Sequence, residues 1–185
     1  MGNEAFMKQQ IEEKIAQGFG CIKMKIGAIE FDKELELLRF IRQNFDENTI
    51  EIRVDANGAF NENEALNKIN QLTGFKLHSI EQPIQKNHTD TMSVLCKNTN
   101  LPIALDEELI GVFSSSEKEN LLQKIMPQYI ILKPSFIGGF RGTLEWISLA
   151  EKYNIGWWIT SALESNIGLN AIAQFTFTLN TKMPQ

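Results

Sequence analysis

Three acids and two lysines stand at the ends of short apolar runs, and the runs recur at near-regular intervals. Lys23 and Lys25 lie in Cys21-Ile22-Lys23-Met24-Lys25-Ile26-Gly27, and Asp55 in Ile52-Arg53-Val54-Asp55-Ala56-Asn57. Glu81 follows in Ser79-Ile80-Glu81-Gln82-Pro83, Asp106 in Ile103-Ala104-Leu105-Asp106-Glu107, and Lys133 in Ile130-Ile131-Leu132-Lys133-Pro134. Asp55 and Glu81 are 26 positions apart, Glu81 and Asp106 25. One βα unit takes about that length, so successive parallel strands would present the three carboxylates on one rim. Converging carboxylates make an oxygen site for a hard divalent cation. Because no histidine or cysteine accompanies the acids, Mg²⁺ is expected, with Mn²⁺ as a possible substitute. With lysines on either side, such a site suits the removal of a proton next to a carboxylate. Glu107 could replace Asp106 as ligand; Asp106 is preferred because Ile103 and Leu105 then face the helices together.

Strand parity sharpens this set. Alternate residues share a face, so Lys23 and Lys25 point one way while Ile22, Met24 and Ile26 point the other. The same parity groups Arg53, Asp55 and Asn57 opposite Ile52 and Val54, which makes Asn57 a candidate for contact with substrate. Two inward lysines repel and a buried ammonium is costly, so a lowered lysine pKa is expected here. Lys133 would lie across the sheet from Lys25. Ser161-Ala162-Leu163-Glu164-Ser165-Asn166-Ile167-Gly168 precedes a helix, where small hydroxyl residues and a glycine expose backbone N–H groups. Ser161, Leu163, Glu164 and Ser165 could there hold a substrate carboxylate, or simply cap the helix. Gly138-Gly139 reads as a tight loop or an anion site, Trp157 and Trp158 as packing residues, and His78 and His88 as no ligand pair.

The elements needed to position these groups can be read in order. Helices are expected over residues 4–18, 31–45, from an Asn61 cap with Glu64 as its capping-box partner to about Gly74, and over 90–97, 116–125, 141–153 and 168–179. Strands are expected at 21–26, 50–55, 78–81, 103–106, 129–133 and 156–160. Strict alternation of six strands with helices means a parallel α/β sheet with crossover helices. A flavodoxin-like open sheet gathers its site at one switch point, whereas here all strands but the last end in charge. Charged groups spread over successive strand ends suit a TIM (β/α)₈-type barrel, incomplete here, with six βα units corresponding to strands two to seven.

The 185 residues, 43% hydrophobic and 22% charged, suit one globular domain. A net charge of −5 without a basic cluster argues against nucleic acid, and no apolar stretch is long enough for a membrane. Cys21 and Cys96 read as reduced, mostly buried thiols of a cytoplasmic protein. Met1-Gly2-Asn3-Glu4 runs into a charged helix pattern with no signal peptide or myristoylation motif.

Taken together, Lys-Met-Lys, Val-Asp-Ala-Asn, Ile-Glu-Gln-Pro, Leu-Asp-Glu and Leu-Lys-Pro resemble the muconate-lactonizing-enzyme subgroup of the enolase superfamily, from about Ile11 to Leu179. Ser161-Ala162-Leu163-Glu164-Ser165 is similar to the o-succinylbenzoate synthases within it. The resemblance implies Asp55, Glu81 and Asp106 as ligands of Mg²⁺ (or Mn²⁺), Lys25 as general acid/base tuned by Lys23, and Lys133 as stabiliser of an enolate. It implies a small-molecule carboxylate as substrate and its dehydration as the reaction. Racemization of N-succinylamino acids or epimerization of dipeptides, with Lys25 and Lys133 as opposed bases, is the rival; a non-catalytic barrel piece is a third reading. The family's N-terminal capping domain and its first and eighth barrel strands have no counterpart, the sequence stopping at Met183-Pro184-Gln185. The chain is therefore expected to be part of a larger enzyme and to self-associate through exposed barrel edges.

Overall fold

The computed structural model describes residues 4–179 and Thr181; the readings at Met1-Gly2-Asn3 and at Met183-Pro184-Gln185 lie outside them. The chain divides into two compact units, one running to His88 and taking in Lys97–Ile103, the other comprising Thr89–Cys96 and the chain from Ala104 onward.

The first unit contains α1 (Glu4–Ala16), β1 (Cys21–Lys25), α2 (Phe31–Asn44), β2 (Glu51–Asp55), α3 (Glu62–Leu72) and β3 (Ser79–Glu81). The three strands are parallel and pair in chain order, with Lys23 beside Arg53 and Arg53 beside Ser79. One step further along, Lys25 stands beside Asp55 and Asp55 beside Glu81. The expected alternation holds in β1: Ile22 and Met24 are buried while Lys23 and Lys25 are exposed. On α2, Leu35, Leu38 and Ile41 recur at helical spacing and are buried with Leu37. Arg42 near the end of that helix donates to the carbonyls of Phe75 (2.7 Å), Ile50 (2.8 Å) and Lys76 (3.0 Å). One guanidinium thereby joins the end of α2, the entry to β2 and the turn after α3.

The capping box at α3 forms with one change. Glu64 accepts from the Asn61 backbone as expected, but the Asn61 side chain takes the N–H of Asn63 at 3.0 Å, not that of Glu64. An asparagine side chain is short and turns onto the amide two residues on, as in an Asx turn.

The second unit is built from α4 (Thr89–Asn98), β4 (Ile103–Leu105), α5 (Ser115–Ile125), β5 (Tyr129–Leu132), α6 (Gly139–Lys152), β6 (Gly156–Ile159) and α7 (Asn166–Phe177), the last residues of α4 and the first of β4 grouping with the other unit. Strands β4, β5 and β6 are parallel, with Leu105 beside Ile130 and Leu132 beside Ile159. Ala104, Ile131 and Trp158 form a buried cluster against Tyr129, whose ring lies 5.7 Å from that of Trp158. Trp158 is thus the packing residue expected of it. Lys118 of α5 is buried and donates to Glu145 (2.8 Å) and to the Gly142 carbonyl (3.3 Å) on α6. Gly142 tolerates no side chain, because a Cβ there would stand 2.1 Å from the Ile137 carbonyl oxygen. Gly142→Ala should therefore cost about 3 kcal/mol by forcing backbone apart, read as a lowered urea midpoint at unchanged slope.

Helices and strands match the sequence reading to within two residues at their ends. Two short 3₁₀ turns were not anticipated, Glu107–Leu109 and Pro134–Phe136. Each follows a residue singled out for chemistry, Asp106 and Lys133.

Candidate active site

In the first unit the parallel register does what chain order alone cannot: it sets β1 lysines against β2 and β3 acids. The Lys23 ammonium lies 2.7 Å from Glu81 Oε2 and 3.0 Å from Asp55 Oδ2. The Lys25 ammonium donates to Asp55 Oδ2 at 2.7 Å and also to Asn57 Oδ1. Asp55 is fully buried and Glu81 nearly so, whereas the lysine side chains are 40% and 43% exposed. The acids are sealed beneath ammonium heads that still reach water. Asp55 Oδ1 also accepts the Asn57 N–H at 3.0 Å. The strand exits are locked by Ala56 N–H on the Glu81 carbonyl (3.0 Å) and Gly58 N–H on that of Gln82 (2.7 Å).

These contacts set the proton affinities. Burial pushes the Asp55 carboxyl up, but the two lysines outweigh it and hold it below the usual range. Burial pulls Lys23 down, yet attraction to Glu81 and Asp55 prevails and raises it above an ordinary lysine. This corrects the expectation of a lowered Lys23. Lysine–lysine repulsion is visible along the chain, but the nearest charges are the carboxylates of neighbouring strands. Lys23 is thus a fixed cation at neutral pH. Lower on the same face, Cys21 is pushed up to about 11, chiefly by burial, so this free thiol is no nucleophile.

In the second unit Asp106 is buried at the exit of β4 and accepts from Lys133, which stands at the exit of β5. Glu107 opens the 3₁₀ turn behind it, so Asp106 is the acid that Lys133 reaches. Glu164 accepts from the Ser135 hydroxyl and from the Ala162 N–H, both at 2.6 Å. Burial pushes its carboxyl up, but Ser135 and the loop amides hold it below the usual range. Leu163 has φ 63° and is 97% exposed, and Ser165 precedes α7 without a side-chain capping bond. Of the segment named for substrate binding, Glu164 thus fastens its own loop, Ser161 is half-buried, and Leu163 projects outward. Ser135 escaped the sequence reading; its only signal is its place two residues after Lys133. Gly138 and Gly139, at φ 98° and 67°, make the tight turn into α6.

Among the described residues no three of His, Cys, Asp and Glu are gathered as a ready-made metal site. In the first unit the Lys23 and Lys25 ammonium groups lie on Asp55 Oδ2 and Glu81 Oε2, oxygens that a cation would use. The donor set itself fits a hard cation, since Asp55 and Glu81 are buried, all-oxygen and adjacent in register. His78 and His88 are engaged elsewhere, with Ser79 Oγ (2.9 Å) and Glu62 (2.7 Å).

The chain is 55% identical over its whole length to an o-succinylbenzoate synthase of Desulfotalea psychrophila, of which it covers 50%. A crystal structure of MenC from Desulfotalea psychrophila superposes with TM-score 0.93 at 54% identity, over 100% of this chain and 51% of that one. An L-amino acid-D/L-Glu epimerase of Francisella philomiragia is 28% identical over 94% of this chain and 48% of its own length. The chain thus spans about half the length of the curated relatives it matches. Among the described residues no helix is long and apolar enough to cross a membrane. The enolase C-terminal domain-like family model matches residues 6–185. With the parallel βα order and the structural likeness, this places the chain in that family, as six successive βα units of a TIM-type barrel.

Proposed function

We propose that these strand ends serve an o-succinylbenzoate synthase, which dehydrates 2-succinyl-6-hydroxy-2,4-cyclohexadiene-1-carboxylate to 2-succinylbenzoate in menaquinone biosynthesis. The observation that carries the reading is Lys25, which rests on Asn57 and, at 2.7 Å, on Asp55 at the rim of buried acids. The relative at 55% identity supports the same chemistry.

In this reading Lys25, as the free amine, takes the proton from the carbon next to the substrate carboxylate. The C–H electron pair passes into the carboxylate as an enolate and returns as the new ring double bond when the C–O bond to the hydroxyl breaks. The Lys25 ammonium returns the proton to the departing oxygen, which leaves as water. One side chain serves both transfers, which requires proton and hydroxyl on the same face of the ring. Asn57 holds the lysine head in place, and Lys23 keeps a permanent positive charge beside the acids. Lys133, held on Asp106, offers a second ammonium to offset negative charge on the substrate. Asp55, Glu81 and Asp106 would hold Mg²⁺, which when bound would add positive charge against that developing on the carboxylate.

Epimerization of dipeptides is the second reading, favoured by two lysines each resting on a carboxylate. The test is to give the full-length protein both substrates with Mg²⁺. Dehydration should exceed epimerization in kcat/KM by at least about 10³, roughly 4 kcal/mol of transition-state preference. Comparable or reversed values would assign the chain to the epimerases.

A further inference from the structure

The loop leaving β1, just past Lys25, is tied down by a carboxylate from the helix that follows it. Glu34 in the first turn of α2 is 1% exposed. Its Oε1 accepts from three successive backbone amides, Gly27 at 2.6 Å, Ala28 at 3.2 Å and Ile29 at 3.4 Å. Burying a carboxylate is costly, and burial does raise the Glu34 carboxyl while the three amides pull it back. Helix capping does not account for this placement, because all three amides lie before the first residue of α2, Phe31. They belong to the loop that carries the chain away from Lys25.

That loop has a second restraint. Gly27 adopts φ 86°, and a Cβ there would stand 2.4 Å from the Ala59 Cβ. Only glycine allows the β1 exit to press so closely on the β2 exit. The β2 exit is closed by Ala59 N–H on the Ala56 carbonyl at 2.9 Å and carries Asn57, the acceptor for Lys25. Lys25 is therefore held at both ends: its backbone two residues before Gly27, and its head by a residue of the loop on which Gly27 packs.

We propose that Glu34 is a positioning residue for Lys25, acting through the Gly27–Ile29 loop and its packing on Ala59. The proposal rests on the reading of Lys25 as proton carrier. The Glu34 carboxylate bonds to the loop amides and not to the Lys25 ammonium, which rests on Asp55 and Asn57.

The test compares Glu34→Ala with Glu34→Gln in the full-length protein by three readouts: dehydration kinetics, amide hydrogen exchange over Gly27–Ile29, and acetylation of the Lys25 amine relative to Lys152. Glu34→Ala should lower kcat about tenfold with KM within about twofold, speed exchange of the three amides, and raise Lys25 acetylation several-fold. Glu34→Gln keeps an oxygen for the amides and should restore slow exchange, Lys25 protection and most of kcat. Faster amide exchange with unchanged kcat and Lys25 acetylation would overturn the proposal, as would a glutamine variant as impaired as the alanine one. If the wild-type protein does not dehydrate the substrate, the functional reading fails, and Lys25 acetylation alone decides the positioning role. Should Glu34→Ala fail to fold, Glu34→Asp, one methylene shorter, carries the same comparison.

Discussion

Lys25→Ala in the full-length protein should lower dehydration at least about a thousandfold, within the range lost when a positioned acid/base is removed. The same variant should bind Mg²⁺ with affinity changed only a few-fold, because Lys25 is no ligand and Asp55 and Glu81 remain. Lys23, 3.0 Å and 2.7 Å from their oxygens, leaves the acids a counter-charge when Lys25 is removed. The Lys25 side chain is 43% exposed, and its ion pair contributes less than about 1 kcal/mol to stability. Steady-state kinetics beside Mg²⁺ calorimetry reads both quantities. Near-normal turnover would show that the proton carrier lies elsewhere.

Asp55→Asn should produce the complementary pattern, loss of metal before loss of fold. Asp55 is the common acceptor of both β1 lysines and is wholly buried. The asparagine keeps the shape but removes the charge, leaving the two ammonium groups with Glu81 and Asn57 alone. Mg²⁺ affinity should fall by more than the roughly 10–100-fold that outer partners of a metal site contribute. Stability should drop by about 1–2 kcal/mol, less than for a fully buried pair because both lysines reach water. Calorimetric titration and urea unfolding read these separately. The sign of the pH effect follows from the depressed Asp55 carboxyl. Its contribution to stability is present above the ordinary aspartate value and is lost as pH falls through the lower folded-state value. The Asn variant should therefore lose less stability on acidification than wild type.

Period-two alternation in Cys21–Lys25 and helical spacing in Leu35, Leu38 and Ile41 made the elements legible, since both patterns are local. Parity groups Asn57 with Arg53 and Asp55, and its hydrogen bond from Lys25 arises only once β1 and β2 pair in register. What stayed hidden depends on contacts between segments. The raised Lys23 follows from Glu81, 58 positions away in the chain, and no local pattern records that approach. Glu34 looks like an ordinary first-turn acid, favourable to the helix dipole, yet its oxygen faces backward onto Gly27–Ile29. Glu164 was read for its neighbourhood of small hydroxyl residues, while its bond to Ser135 crosses 29 positions. Polar side chains show their type in sequence; which backbone amide or lysine they meet is fixed by tertiary packing.

The most direct measurement is dehydration by the full-length protein, stripped of metal and then titrated with Mg²⁺. Essentially no turnover is expected after stripping, with recovery that saturates with Mg²⁺ and is matched in kind by Mn²⁺, and no recovery by Mg²⁺ in Lys25→Ala. Full turnover by the stripped protein, or Mg²⁺-restored turnover in Lys25→Ala, would contradict the proposed mechanism.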